Sequence, residues 1–262
     1  MARSHSTFPT GPRRTRHPWV AFLAARFSPQ GAFGLQLTLG VAVILLVGWT
    51  FGEVAEDVVS GAAITRLDVW LAQWFHSHAT PGFTRAMLVV THANGLAGAA
   101  TMSALLALWF WRRGLRDWML LTLVASIGGG ALNVALKHVF HRARPHFADP
   151  LLTLGTFSFP SGHTAAATVL YGLLAWWCVA RAHTWPRRAL AVAAAAGMVA
   201  LVALSRMYLG AHYLSDVLAA TLESVAWLAV CITATSTLAR MRRLRGEGDA
   251  HGVREAGTKE GA

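Results

Sequence analysis

Six apolar blocks decide the fold class of this chain: residues 33–51, 86–111, 118–140, 162–180, 189–209 and 214–238. Each is long enough to cross a bilayer, for which a helix needs about 20 residues. In hydrocarbon every backbone N–H and C=O must find its partner inside its own segment, so spans of this kind are helices. With 55% hydrophobic residues and only 13% charged ones, the chain is expected to be an all-α, polytopic membrane protein whose six transmembrane helices form a bundle. The two cysteines, Cys178 and Cys231, fall inside predicted spans and read as buried small hydrophobes rather than a disulfide or a metal pair.

A net charge of +11 raises the question of nucleic acid, and its placement answers it. With the N-terminus in the cytoplasm, 17 of the 23 Lys and Arg residues fall on the inner side, in the N-terminal segment, the 112–116 and 181–188 links and the tail from Arg240 to Lys259. Six lie outside. The positive-inside rule accounts for the basicity, and no nucleic-acid partner is expected, because the charge is divided among membrane-flanking loops instead of gathered on one face. Trp49 and Trp70 fit an outer aromatic belt, and Trp109, Trp111, Trp118, Trp176, Trp177 and Trp185 an inner one. Both termini are thus expected in the cytoplasm of a multi-pass cell-membrane (inner-membrane) protein.

The domain reading follows: a cytoplasmic N-terminal segment over 1–32, a six-span membrane domain over 33–238, and a basic, then Gly-rich tail over 239–262. Residues 1–18 read as disordered and 19–27 as a short interfacial helix. No cleavable signal peptide is expected, the first span reading as an uncleaved anchor. The outer segment 52–84 carries Val69, Leu71, Ala72 and Phe75 at near-helical spacing, the mark of an amphipathic helix resting on the membrane. The tail after Arg245 reads as mobile.

The unusual chemistry sits at span ends on the outer side. "KHVFHRARP" places Lys137 at the close of span three and Arg144-Pro145 seven residues on; "PSGH" (160–163) opens span four; "SRMYLGAHYLSD" carries Ser205, Arg206, His212 and Asp216 between spans five and six. Alternating topology puts all three on one face. Lys137, Arg144 and Arg206 supply three cations, two of them guanidinium forks that match phosphate oxygens. Ser161 and Gly162 stand at a predicted helix N-terminus, where unpaired N–H groups and the helix dipole bind anions. The site is therefore expected to hold a phosphate. His212 and Asp216, four residues apart, are expected to share a helix face, so that the carboxylate holds one ring N–H while the other nitrogen points at phosphorus. His163, with no acidic neighbour in its segment, suits proton donation to a leaving oxygen.

Lys-x6-Arg-Pro, Pro-Ser-Gly-His and Ser-Arg-x5-His-x3-Asp together resemble the three-part signature of the type 2 phosphatidic acid phosphatase superfamily, the lipid phosphate phosphatases related to vanadium haloperoxidases. The resemblance implies that His212 is a nucleophile forming a phosphohistidine, oriented by Asp216. It implies that His163 protonates the departing oxygen and later activates water, and that Lys137, Arg144, Ser161, Gly162 and Arg206 hold the non-bridging oxygens. No metal or other cofactor is required by that scheme. Ala143 stands where bacterial relatives often carry proline.

Several readings stay open beside this one. Lys137 and Arg144 also fit snorkelling anchors. His138, His141 and His146 crowd one loop, but with only Asp149 nearby they do not form a zinc site; with Arg142 they read as loop or interface residues. "SIGGGALN" (126–133) reads as close helix packing, with Asn133 placed to support Lys137. Glu223, two turns below Asp216, is either a protonated or hydrogen-bonded packing residue or a participant in headgroup or proton handling. Thr91, His92 and Asn94 lie near the outer start of span two. The expected function is hydrolysis of a phosphomonoester or diphosphate of a membrane lipid: undecaprenyl diphosphate, phosphatidic acid or phosphatidylglycerol phosphate. The alternatives are a phosphotransferase on the same site, an anion-handling transporter or channel, and a haloperoxidase-like activity. The clustering of ionisable groups at one face, rather than along a path across the membrane, argues against transport.

Overall fold

The computed structural model describes residues 32–259 except Thr153, so the expectations for residues 1–18 and 19–27 lie outside the described residues. Among the described residues the regular structure is entirely helical: α1 (Ala32–Ser60), α2 (Ala63–Ser77), α3 (Pro81–Ala93), α4 (Leu96–Arg112), α5 (Arg116–Phe140), α6 (Gly162–Arg181), α7 (Trp185–Tyr208) and α8 (Leu214–Lys259). The chain divides into two units, residues 1–39 and 40–262. Of the first, the structure describes only the opening of α1.

Among the described residues five helices are each long and apolar enough to cross a membrane, and α3 and α4, bent by 48° at their break, reach that length and apolarity only as a pair. The protein is a multi-pass membrane protein. Span two, expected as one continuous block over 86–111, is broken because Asn94-Gly95 is a turn dipeptide. The Asn94 side-chain amide also bonds back to the Val90 carbonyl at 3.0 Å. Span one runs longer than expected, since nothing in "FGEVAEDVVS" stops a helix before Gly61, whose positive φ of 71° closes it. The outer segment is correspondingly shorter. Its amphipathic helix is α2, which buries Asp68 and Ala72 and exposes Leu67, Val69, Trp70 and Trp74.

At its far end α8 continues past its span (Leu214–Ala239) to Lys259, where a mobile tail was expected. An already nucleated helix extends at the cost of one residue at a time, and the tail contains no proline.

Helix α6 packs against α4, α5, α7 and α8. Its Val169 and Leu173 join Leu121 and Ala125 of α5 and Leu228 and Cys231 of α8 in one core cluster, with Trp118 and Trp227 against it. Cys231 is buried as expected, whereas Cys178 is exposed on α6. The small residues of "SIGGGALN" do allow close approach: a side chain at Gly128 or Gly129 would run into the Trp227 ring. The same indole donates to the Ala125 carbonyl at 3.0 Å, pinning α8 to α5.

Candidate active site

Three span ends meet where the sequence places its polar motifs. α5 ends at Phe140, and the next residue, His141, has a left-handed backbone (φ 47°) that turns the chain into the loop carrying Arg142 and Arg144. The loop folds back so that Ser158 N–H bonds the Arg142 carbonyl at 2.8 Å. Lys137 Nζ, in the last turn of α5, reaches across to the carbonyls of Phe157 and Ser158, at 2.8 and 3.3 Å. Arg144 is fixed by the same loop: Nε donates to Thr156 O (2.6 Å), Nη2 to Thr156 Oγ1 (2.8 Å), and Nη1 to Ala211 O (2.5 Å). Charge-assisted bonds to fixed carbonyls make both cations rigid rather than snorkelling.

The second motif opens α6. The first helical bond is Ala165 N–H to Ser161 C=O at 3.0 Å, so the amides of Gly162, His163 and Thr164 lie ahead of the ladder, as in any helix start. Ser161 is fully buried; its N–H bonds the Asp216 carbonyl at 3.1 Å and its hydroxyl accepts from Thr164 at 3.1 Å. A side chain at Gly162 would stand 3.2 Å from Asn133 Oδ1 and 3.9 Å from the Lys137 stem. Glycine is what lets these two helices close at that point.

The third motif joins α7 to α8. Arg206 is 1% exposed; Nη1 donates to Thr91 Oγ1, while Nε and Nη2 have no hydrogen-bond partner. Buried donors left unpaired are costly unless they serve a ligand. Gly210 (φ 67°) turns the chain, and the amides of Ala211 and His212 bond the Arg206 carbonyl at 3.0 and 3.2 Å. His212 thus precedes α8, and Asp216 lies in its first turn. Their spacing predicts a shared helix face, but His212 lies outside the helix and the turn brings the two together instead, His212 Nδ1 standing 3.4 Å from Asp216 Oδ2. Asp216 Oδ2 also accepts from Tyr213 N–H (2.8 Å) and from the Ser158 hydroxyl. The other ring nitrogen, Nε2, receives Arg144 Nη1 at 3.1 Å, which implies the Nδ1–H tautomer with a lone pair on Nε2. Burial pushes the His212 pKa down to about 4; Asp216 pulls it up, and Arg144 and Arg206 push it further down.

Lys137, Arg144, Gly162, His163, Arg206 and His212 line one end of a cavity of about 910 Å³. The remainder runs between α4, α5 and α6 past Ala99, Ala100, Leu123, Ile127 and Val169. Asp216 and Ser161 stand behind this lining, both fully buried. Asn133, placed by the sequence next to Lys137, bonds Glu223 Oε1 instead, at 2.6 Å. Glu223 is buried on α8 across from it, and its Oε2 has no partner. His138 and His141 pack edge-on against Phe157. Among the described residues no group of three or more His, Cys, Asp or Glu side chains could hold a metal ion.

Two residues escape a motif-based reading. Arg142 Nη1 donates to Asp216 Oδ1 (2.6 Å) and Nη2 to Asp68 Oδ2 (2.7 Å). Burial disfavours its charge, yet Asp216 and Asp68 outweigh that and raise its pKa above the ordinary arginine value. Asp68 comes from α2, far away in sequence. The available signal was its helical spacing: positions 68, 72 and 75 share one face, and a carboxylate there, beside Ala72 and Phe75, would need a cationic partner.

A family model described as the PAP2 superfamily matches residues 118–240, which contain all three motifs. Phosphatidylglycerophosphatase B of Bacillus subtilis is 32% identical over 166 residues, covering 63% of this chain and 75% of that protein. This chain belongs to the PAP2 superfamily. It is a membrane lipid phosphatase of the PAP2 type, a phosphoric ester hydrolase. The crystal structure of a transmembrane PAP2-type phosphatidylglycerolphosphate phosphatase from Bacillus subtilis matches with a TM-score of 0.65 at 25% identity, covering 72% of this chain and 93% of the other. Aquifex aeolicus LpxE shares the PAP2 fold at a TM-score of 0.50 and 19% identity, over 63% of this chain and 94% of that one. A decaprenylphosphoryl-5-phosphoribose phosphatase from Mycolicibacterium smegmatis is 34% identical over 110 residues, 39% of this chain and 51% of that protein.

Proposed function

We propose that this PAP2 phosphatase removes phosphate from a lipid phosphomonoester, phosphatidylglycerol phosphate foremost, through a phosphohistidine on His212. The observation that carries this reading is the His212 ring itself, with Asp216 on Nδ1 and Nε2 3.1 Å from Arg144 Nη1, in the lining of the cavity that Lys137, Arg144 and Arg206 share. The phosphoryl oxygens would take the free N–H groups of Arg206, the Lys137 and Arg144 cations and the amides opening α6, Ser161 and Gly162 shaping that edge. As Arg144 Nη1 exchanges its bond to Nε2 for one to a phosphoryl oxygen, the Nε2 lone pair attacks phosphorus, the ester P–O bond breaks, and the departing oxygen takes its proton from His163. His163 then removes a proton from water, the water oxygen attacks phosphorus, the N–P bond breaks, and inorganic phosphate leaves. The apolar length of the cavity suits a lipid chain entering between helices, and the likeness to a phosphatidylglycerophosphatase B favours a glycerolipid.

The catalytic domain in this reading is 33–238, with 1–32 and 239–262 in the cytoplasm and the site on the outer face of the cell membrane. The 17 basic residues allotted to the inner side support that orientation.

Labelling tests the mechanism. With phosphatidylglycerol phosphate labelled on its terminal phosphate, quenched early and kept alkaline, His163→Ala should retain label on the protein and His212→Ala should carry none. Stable label on the His212 variant would overturn the assignment of the nucleophile. Phosphatidic acid and undecaprenyl diphosphate in parallel reactions rank the substrates by free phosphate released.

A further inference from the structure

Asp216 has two oxygens with different neighbours. Oδ2 faces His212, Ser158 and the Tyr213 amide. Oδ1 faces Arg142 at 2.6 Å. The guanidinium does not stop there, since its other nitrogen binds Asp68 at 2.7 Å. Asp68 in turn accepts from Ser215, immediately before Asp216: the Ser215 amide donates to Oδ1 at 2.9 Å and the Ser215 hydroxyl to Oδ2 at 2.5 Å. Arg142 Nη1 also donates to that hydroxyl, at 2.6 Å, and the guanidinium lies 4.4 Å above the Tyr213 ring. Asp68 and Asp216 are both fully buried. Each of residues 213, 215 and 216 is therefore touched by Arg142, and residue 215 is held by Asp68 from a helix outside the spans.

We infer that Asp68 and Arg142 are positioning residues of the phosphatase reaction: a carboxylate of α2 and a guanidinium of the 141–161 loop together aim Asp216 at His212. The inference rests on the reading of His212 as nucleophile. Arg142 is shared between two carboxylates, and this sharing sets how much of the Asp216 charge is left for His212. Take away Asp68, and Arg142 neutralises Asp216 alone. Take away Arg142, and Asp216 acts on His212 uncompensated. The other charged or titratable groups facing His212 are Arg144 from the loop, Arg206 from α7 and His163 from α6, and neither substitution touches them. The two variants must then move the protonation of His212 in opposite directions, which loss of packing alone does not do.

The test is the pH dependence of kcat for Asp68→Asn and Arg142→Gln on phosphatidylglycerol phosphate in detergent micelles, with the thermal midpoint of each variant. Both should lose roughly 10- to 100-fold in kcat, as supporting residues of reactive groups do, with KM within about threefold because neither lines the cavity. The acid limb of kcat should move to lower pH in Asp68→Asn and to higher pH in Arg142→Gln. Loss of activity in step with the thermal midpoint, with the acid limb unmoved in both, overturns the inference. Ser215→Ala, which removes one hydroxyl from the network and alters no charge, carries the test if a charge variant fails to fold. A fall of about 3- to 10-fold in kcat with an unmoved limb is then expected, and full activity would overturn it. If His212→Ala itself keeps phosphatase activity, the nucleophile reading fails, and the network with it; if that variant is dead and the limbs do not move, only the network inference fails.

Discussion

Replacing Arg206 by methionine separates what a residue does for the reaction from what it does for the fold. Arg206 is buried with Nε and Nη2 unpartnered, and on the proposed mechanism these are the donors a phosphoryl group takes. A hydrogen bond to a charged group contributes about 1.5–3 kcal/mol, so two of them amount to about 3–6 kcal/mol. At about 1.4 kcal/mol per decade, kcat/KM should fall by roughly 10²- to 10⁴-fold. The fold should hardly notice. Arg206→Met loses the bond to Thr91, worth about 1 kcal/mol, but it also removes a buried charge that shares its cavity with Lys137 and Arg144. The thermal midpoint should stay within about 4 °C of the unmodified protein or rise. The assay pairs kcat/KM on phosphatidylglycerol phosphate with thermal unfolding in the presence and absence of orthovanadate, whose five-coordinate geometry resembles phosphoryl transfer. Vanadate should raise the midpoint of the unmodified enzyme and leave that of Arg206→Met unchanged. A fall in kcat/KM of less than tenfold, or a variant that loses activity yet keeps the vanadate shift, would refute the assignment of those donors to phosphate.

The pH profile provides a second check. Because burial and the neighbouring cations depress the His212 pKa from 6.5 to about 4, the ring stays neutral well below pH 6.5, and on the proposed mechanism the acid limb of kcat/KM, which reports the free enzyme, should fall below pH 6.5. For stability the sign is the usual one for a depressed histidine: the unfolded chain takes up a proton near 6.5 and the folded one only near 4. His212 therefore contributes stability above pH 6.5 that is lost as the pH falls from 6.5 through 4, and acid unfolding should be less steep in His212→Asn. Gly210→Ala should destabilise the fold by about 2–4 kcal/mol, since it forces a left-handed backbone on alanine and brings Cβ to 2.8 Å from the Phe147 ring; a change under about 0.5 kcal/mol in thermal unfolding contradicts this. In a background without Cys178 and Cys231, a cysteine at Asp149 should react with an impermeant thiol reagent in intact cells and one at Gly114 should not, and the reverse pattern would place the site in the cytoplasm.

The spans and the site were legible to different degrees because they rest on different physics. Apolar length alone fixes α5, α6 and α7, and their ends fall within a few residues of the blocks in the sequence. Composition could not show the break at Asn94-Gly95, because a span interrupted by one turn has the same mean hydropathy as a straight one. The cations and histidines were readable since their spacing matches a family signature, but not their partners. Spacing of four suggested that His212 and Asp216 meet on a helix; a turn outside α8 brings them together instead. Asn133 was assigned to Lys137 by its distance along α5, whereas its side-chain amide points across to Glu223 on α8. Such pairings depend on how helices rotate against each other, which a single sequence does not state. Asp68 was missed for the same reason: a lone carboxylate in an amphipathic segment looks solvated until the Arg142 loop is laid over it.

The contact of Trp227 with Gly128 and Gly129 lies one turn along α8 from Glu223 and one turn along α5 from Asn133, and it fixes a dimension of the site. α5 carries Lys137 and Asn133, α8 carries Asp216 and Glu223, and the separation of those two helices is set by one indole lodged where α5 has no side chains. A wider or narrower ring at that position acts as a spacer, tilting one helix against the other about a fixed pivot. A change at this one position would therefore alter the gap between Lys137 on α5 and Asp216 on α8 with neither side chain replaced.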